Sequence, residues 1–319
     1  MTSHRNKLTP KKARSRRRLA IEAGIIIALV LIFALLMPAI LPDTRLKILG
    51  RTLALCIVAL GLDLIWGFTG LLSLGHGIFF ALGGYGLAMH LKLQLPEGQI
   101  PDFFSLYGVE KLPWFWKPFE SLPFTTIAIF VIPSIVAALF GYLVFRNRIR
   151  GVYFSILTQA ALLVFFNFFN GQQKLINGTN GLKTDTSIVF GVEASSDVAQ
   201  LAFYELTIVF LVLAYLLCRW LTSGRFGNLL VAIRDDENRV RFSGYDPTNF
   251  KVLVFAISGA LAGIAGALYS VQTGIITPKA MEFPFSIEMV IWVAVGGRGT
   301  LIGAIVGTIL VQLARGALS

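Results

Sequence analysis

Residues 61–86 read GLDLIWGFTGLLSLGHGIFFALGGYG. The stretch carries one acid, Asp63, and one histidine, His76, in a background that is otherwise apolar, aromatic or small. Such a run is fit for hydrocarbon. Yet Gly75, Gly77, Gly83, Gly84 and Gly86 lie on more than one helical face, and glycine weakens a regular helix. Irregular backbone survives at membrane depth only where protein or a cavity surrounds it. The stretch therefore predicts a broken or closely packed element beside a pathway, inside a bundle of membrane helices.

The rest of the chain agrees with that solvent. Of 319 residues, 55% are hydrophobic and only 14% charged, with a mean hydropathy of +0.74. A soluble domain carries roughly 25% charged residues. Apolar runs lie at about 20–41, 48–67, 71–91, 124–145, 151–169, 200–222, 252–274, 286–299 and 300–314. With a span needing about 20 apolar residues, these runs predict an all-α polytopic membrane protein with about eight transmembrane or re-entrant helices. Residues 1–18 form a basic arm holding Arg5, Lys7, Lys11, Lys12, Arg14, Arg16, Arg17 and Arg18 and no acid. Residues 19–319 form the membrane domain.

Placement of charge predicts orientation. Lysine and arginine are retained on the cytoplasmic side during insertion. A cytoplasmic N-terminus puts RNRIR at 146–150 and the charged loop 223–251 on the same inner side. The loops 92–123 and 170–197 then fall outside, at the cost of placing Arg45, Lys47 and Arg51 there too. A basic arm next to lipid reads as a membrane flank, not as a nucleic-acid site.

Several chemistries are missing. There is no GxxxxGK[ST] nucleotide loop, no HExxH and no GxSxG. The histidines are His4, His76 and His90, too few and too scattered for a histidine metal site. Cys56 and Cys218 lie in apolar runs and read as small buried side chains. No catalytic residue and no metal ligand is expected. Among acids at membrane depth Asp63 leads, with Glu205 and Glu288 next, and such residues are functional candidates by default. Gly259/Gly263, Ala262/Gly266 and Gly303/Gly307 fit small-xxx-small spacing, read as close helix packing.

The segment NLLVAIRDDENRVRFSGYD, 228–246, reads as a short amphipathic helix followed by a glycine turn. Leu229, Leu230, Ile233 and Val240 form one apolar edge, while Arg234, Asp235, Asp236, Glu237, Arg239 and Arg241 point elsewhere. A plain connection needs far fewer residues. An amphipathic helix between spans suits a groove on a partner.

The opening stretch, together with AIRDDENRVRFSGYDPTNFKVLVFAISGALAGIAGALY at 232–269 and SIEMVIWVAVGGRGTLIGAIVG at 286–307, resembles permeases of bacterial ABC importers of the branched-chain amino acid class. The resemblance runs from about residue 20 to the end. LPWFWKPF, FRNRIRGVYFSILTQA and GQQKLINGTNGL look most like the urea-uptake branch of that family. It implies an inner-membrane subunit with no ATPase site or cofactor of its own, ATP being bound by partners. Those partners are a second homologous permease, two cytoplasmic ATPase subunits and a periplasmic substrate-binding protein, with lipid around them and no nucleic acid. It also implies that 229–241, including Leu229, Leu230, Ile233, Arg234, Asp235, Asp236, Glu237 and Arg239, couples to an ATPase. Relatives carry a further apolar segment after the position of Ser319, so a C-terminal segment is expected to be missing. For a neutral, hydrogen-bonding solute such as urea, Ser73, His76, Asn177, Thr179 and Asn180 are the candidate pathway groups, because unpaired polar groups are costly in lipid. His76 has a second expected role, bridging helices as a neutral imidazole. A branched-chain amino acid permease of the same family, and a stand-alone channel or secondary carrier, are the alternatives.

Overall fold

The computed structural model describes residues 24, 28–95, 99–185, 187–189 and 192–318. The basic arm and the start of the first apolar run lie outside the described residues. The chain divides into two units at Leu46/Lys47. In the first, helix α1, Ala28–Ile40, contains a π-helical turn at Ile32–Leu36. Helix α2, Asp43–Thr69, opens at the end of that unit.

The second unit is a helical bundle. It contains the body of α2, then α3 (His76–Lys92), α4 (Leu122–Arg146), α5 (Val152–Gly171) and α6 (Asp197–Thr222). Two short helices follow, α7 (Arg225–Asp235) and α8 (Glu237–Phe242). The chain then forms α9 (Pro247–Thr273), α10 (Phe283–Gly296) and α11 (Leu301–Leu318). Two small strand pairs complete it: β1 (Leu182–Lys183) runs antiparallel to β4 (Ile275–Ile276), and β2 (Ile188–Val189) to β3 (Val192–Glu193).

The helix boundaries follow from local chemistry. The Ser196 hydroxyl accepts from the Ala199 amide and starts α6; the Asp246 carboxylate accepts from Thr248 N and starts α9. Gly274, at φ +79, ends α9 in the left-handed conformation that glycine takes without penalty. Among the described residues, α2, α4, α5, α6 and α9 are long and apolar enough to cross a membrane. The α10–α11 pair, bent by 118°, adds one more if it counts as one span. The difference from about eight has a physical source. The 70–75 link and the 297–300 turn interrupt the apolar runs, so α3 and α10 are too short to qualify, as is the described part of α1.

α2 and α9 are largely buried; α4, α5 and α6 are largely exposed, as a lipid-facing ring would be. At the centre α9 packs on α3 and α4 through its glycines. A side chain at Gly266 would collide with the Phe80 carbonyl, and one at Gly83 with that of Gly263. On the α4 side Pro133 has no N–H, which frees the Ile129 carbonyl, and Gly263 sits directly against that oxygen. Small residues thus let three backbones approach where lipid supplies no hydrophobic drive.

A candidate coupling site at the basic end of the bundle

The basic turn at 146–150, the α7–α8 hairpin, the end of α2 and the α10–α11 turn all gather at one end of the second unit. The amphipathic segment is not one helix. Asp236, in extended conformation, breaks it, and its carboxylate accepts from the amides of Asn238 and Arg239 at 3.0 and 3.1 Å. That N-cap starts α8. Leu230, Ile233 and Val240 are buried and Leu229 is half-buried, so the apolar edge seats the hairpin on its own bundle. Asp235, Asp236 and Arg239 remain exposed. Phe242 ends α8 at 92% exposure, a projecting aromatic that the sequence reading missed.

Arg234 fixes the hairpin to α2. Its Nη1 donates to the Gly67 carbonyl at 2.9 Å, while its Nε donates to Asp235 Oδ1 at 3.2 Å. The same stretch of α2 holds the α10–α11 turn. Gly297 and Gly299 have φ of +97° and +78°, and the Gly299 amide donates to Asp63 Oδ1 at 2.6 Å. Arg298 lies over the Trp66 ring at 5.3 Å from its centroid. Gly67 has no room for a side chain: a Cβ would meet the Asp63 carboxylate and the Gly299 backbone. One turn of α2 therefore ties two pieces, a hairpin and a bent helix pair, to the bundle. Asp63 is fully buried, and its Oδ2 has no partner among the described residues.

Glu237, expected to point away, is buried instead. Lys251, 1% exposed at the start of the second turn of α9, places Nζ 3.1 Å from both Glu237 carboxylate oxygens. Arg241 donates to Glu237 Oε1 at 2.9 Å, and Arg150 from the basic turn lies 3.8 Å from Oε2. Lys251 Nζ also sits 4.9 Å from the centroid of the buried Phe145 ring of α4. Burial alone would raise the Glu237 carboxyl, but the Arg241 hydrogen bond and the charges of Lys251 and Arg150 outweigh it and hold it below the ordinary carboxylate range. Asp246 is likewise lowered, first by the Thr248 amide hydrogen bond. Four elements meet in this cluster: α8, α9, the end of α4 and the turn into α5.

The pathway candidates do not come together. Ser73 is buried in the link before α3 and accepts from the Gly75 amide at 3.3 Å. His76 is buried at the start of α3, with Nε2 2.6 Å from Ser258 Oγ of α9; that hydroxyl donates to the Gly61 carbonyl of α2 at 2.5 Å. A hydroxyl has one hydrogen, so Nε2 carries the proton in the His76–Ser258 bond. His76 thus bridges three helices, and Nδ1 has no partner among the described residues. Asn177, Thr179 and Asn180 form a turn beyond α5. Thr158, near the start of α5, receives the Leu74 amide at 3.0 Å. Gly77, next to His76, lies against Leu162, and Gly178 of the turn lies against Asn170, so at 1.5 Å per residue His76 and the turn stand about 12 Å apart along α5. Asn177, at φ 59°, donates its side-chain amide to the Gly181 carbonyl at 2.8 Å; Thr179 and Asn180 are exposed. Glu288 pairs with Arg315 at 2.7 Å, and Glu205 is half-buried in α6. No group of three metal-ligating side chains occurs among the described residues.

Residues 44–319 match the family described as branched-chain amino acid transport system, permease component. The high-affinity branched-chain amino acid transport system permease protein LivM of Salmonella typhimurium is 25% identical over 316 residues, covering 92% of this chain and 68% of that protein. LivM of Escherichia coli is 25% identical over 318 residues with the same two coverages. The probable LivM of Methanocaldococcus jannaschii is 26% identical over 273 residues, covering 79% of this chain and 75% of its own. No solved structure matches the chain. With the match spanning the bundle and the membrane-length helices in place, this is a multi-pass inner-membrane protein that belongs to the branched-chain amino acid transport system permease-component family.

Proposed function

We propose that the chain is the translocating subunit of an ATP-driven importer and that its solute is urea or a short amide. The observation that carries the transport reading is the seating of α7–α8. Its apolar edge is spent inside the chain, its charged face and Phe242 project outward, and Arg234 and Glu237 join it to α2, α9 and the α4–α5 turn. A hairpin held this way passes on a displacement applied to its outer face.

On this reading the basic end faces the cytoplasm, residues 1–18 form a cytoplasmic arm and 19–319 the permease domain. Loop 223–251 rests on one of two ATPase subunits, which bind the ATP. A second permease completes the pair, and a periplasmic binding protein delivers solute to the opposite mouth. Thr179 and Asn180 meet solute there, beside Asn177, while Ser73 and His76 act deeper by holding the helices that line the route. Nucleotide drives the cycle by binding two conformations with different affinity.

Urea is supported by the motifs at 112–119, 145–160 and 171–182. A branched-chain amino acid is the second reading, favoured by the names of the LivM relatives. Competition between labelled urea and leucine in the assembled, ATP-driven system separates them: urea uptake resistant to excess leucine supports the first, leucine preference the second. Cysteine crosslinks from Arg239→Cys test docking, with an ATPase subunit as the expected product. Solute flux through vesicles holding this chain alone, without ATPase, would overturn the importer reading for a channel or secondary carrier.

A further inference from the structure

We propose that the α4–α5 turn and the first two turns of α5 bind one anionic phospholipid, its phosphate on Arg148 and Arg150 and an acyl chain along Ile156, Leu157 and Ala160. A groove of about 710 Å³ runs from Arg148 and Arg150 past Tyr153 to those apolar residues. Its two ends differ in chemistry as a phospholipid does. The guanidinium end closes a membrane-length helix and carries three arginines within five residues. The other end continues into the exposed apolar strip of α5, where Ile156 is 58% and Val164 67% exposed.

The arginines differ in what they already hold. Arg146 folds back on Tyr142, donating to its hydroxyl. Arg150 lies beside Glu237 with its side chain 44% exposed, one of three cations facing that single carboxylate, so its charge is only partly neutralised. Arg148 forms no ion pair among the described residues, and its backbone, at φ 57°, turns out of the helix. A phosphate monoanion supplies the missing charge, and the interfacial Tyr153 supplies an aromatic ring at headgroup level. A zwitterionic headgroup brings an ammonium that the arginines repel. Because Arg150 also touches Glu237, lipid at the turn bears directly on the cluster that seats the hairpin.

The test is native mass spectrometry of the assembled complex in detergent, titrated with phosphatidylglycerol or phosphatidylcholine. The wild type is expected to retain phosphatidylglycerol preferentially. Arg148→Ala should weaken that retention about fivefold, the loss expected for one interfacial arginine, and Arg148→Lys should restore most of it. Ile156→Gln, in the apolar end, should weaken it without changing local charge. Arg146→Ala should leave it unchanged. Equal retention of both lipids, or an equal effect of Arg146→Ala and Arg148→Ala, would overturn the site in favour of a general basic surface. So would efficient crosslinking of Tyr153→Cys to an ATPase subunit, which would place protein where the lipid is assigned.

Discussion

Gly266 of α9 meets the carbonyl of Phe80, and Gly83 of α3 meets that of Gly263, so in mid-bundle two helices touch backbone to backbone. At the basic end α9 meets its neighbours through Lys251, Glu237, Arg241 and Arg150, all long side chains. The two regions hold the same helix by opposite means. The glycine seam has no slack, because carbonyls cannot turn aside. The ionic cluster has partners that reorient about many bonds and can exchange one another. Rigidity therefore sits in the middle of the membrane domain and adjustability at the end where the hairpin is seated.

The sharpest way to break this contrast is Gly266→Leu. It drives a side chain into the Phe80 backbone, and overpacking of this kind costs about 1–3 kcal/mol even where neighbours can shift, more where they cannot. We expect loss of monodisperse protein on size-exclusion chromatography. Gly86→Ala in the same seam helix should purify like the wild type, since its nearest neighbour is the edge of the Phe119 ring in ordinary contact. If both variants behave alike, the seam is not tight.

Lys251→Met comes next. Removing one partner of a buried pair costs about 3–5 kcal/mol, and the remaining Arg241 and Arg150 bring the expected loss to the lower end of that range. Lys251→Met with Glu237→Leu should recover part of the thermal stability, because it removes the buried pair together, while Arg241 and Arg150, both partly exposed, lose the same carboxylate and turn to water. That double variant should keep its fold yet lose ATP-driven uptake. Uptake at wild-type rate would show that the cluster only stabilises.

Smaller effects are expected at Asp63. Asp63→Ala leaves the half-buried Gly299 amide without its charged acceptor, a loss of about 1–3 kcal/mol. Asp63→Asn keeps an oxygen there and should be milder. Uptake assays and melting curves of the two variants read the difference. The smallest expected effect is in pH. The Glu237 carboxyl is held below its ordinary value, so its stabilising contribution is complete above the unfolded value of about 4.3 and fades as pH falls through the lower folded one. Glu237→Gln should flatten the acid side of the melting-temperature profile below about pH 4.3 and leave its shape at neutral pH unchanged.

The apolar runs made the helices legible, and the small-xxx-small pairs at Gly259/Gly263 and Gly303/Gly307 do lie at close contacts in the structure. Asp63 stood out as an acid in an apolar run, and the structure places it as a buried acceptor for the Gly299 amide. What could not be read were pairings across long stretches of chain. His76 finds Ser258 182 residues away, and Asp63 finds Gly299 236 residues away. Nothing local marks Glu237 as buried, because its polar sequence neighbours mask a partner fourteen positions downstream and another in the 146–150 turn. The break at Asp236 did have a signal. An aspartate two residues before an amide it can accept from is a helix start as well as a helix residue, and the sequence reading took it only as the latter.

Helix α9 also has a grip at its far end. The Thr184 amide donates to the Gly274 carbonyl at 2.8 Å, and its hydroxyl donates to that of Ser270 at 2.9 Å. Between Lys251 and that grip α9 is uninterrupted helix with no internal proline, and its 27 residues span about 40 Å. It is a stiff connecting rod between the two faces of the membrane. A rod clasped at both ends cannot absorb a small tilt along its length, so a nudge at one surface must be felt by the β1–β4 clasp at the other.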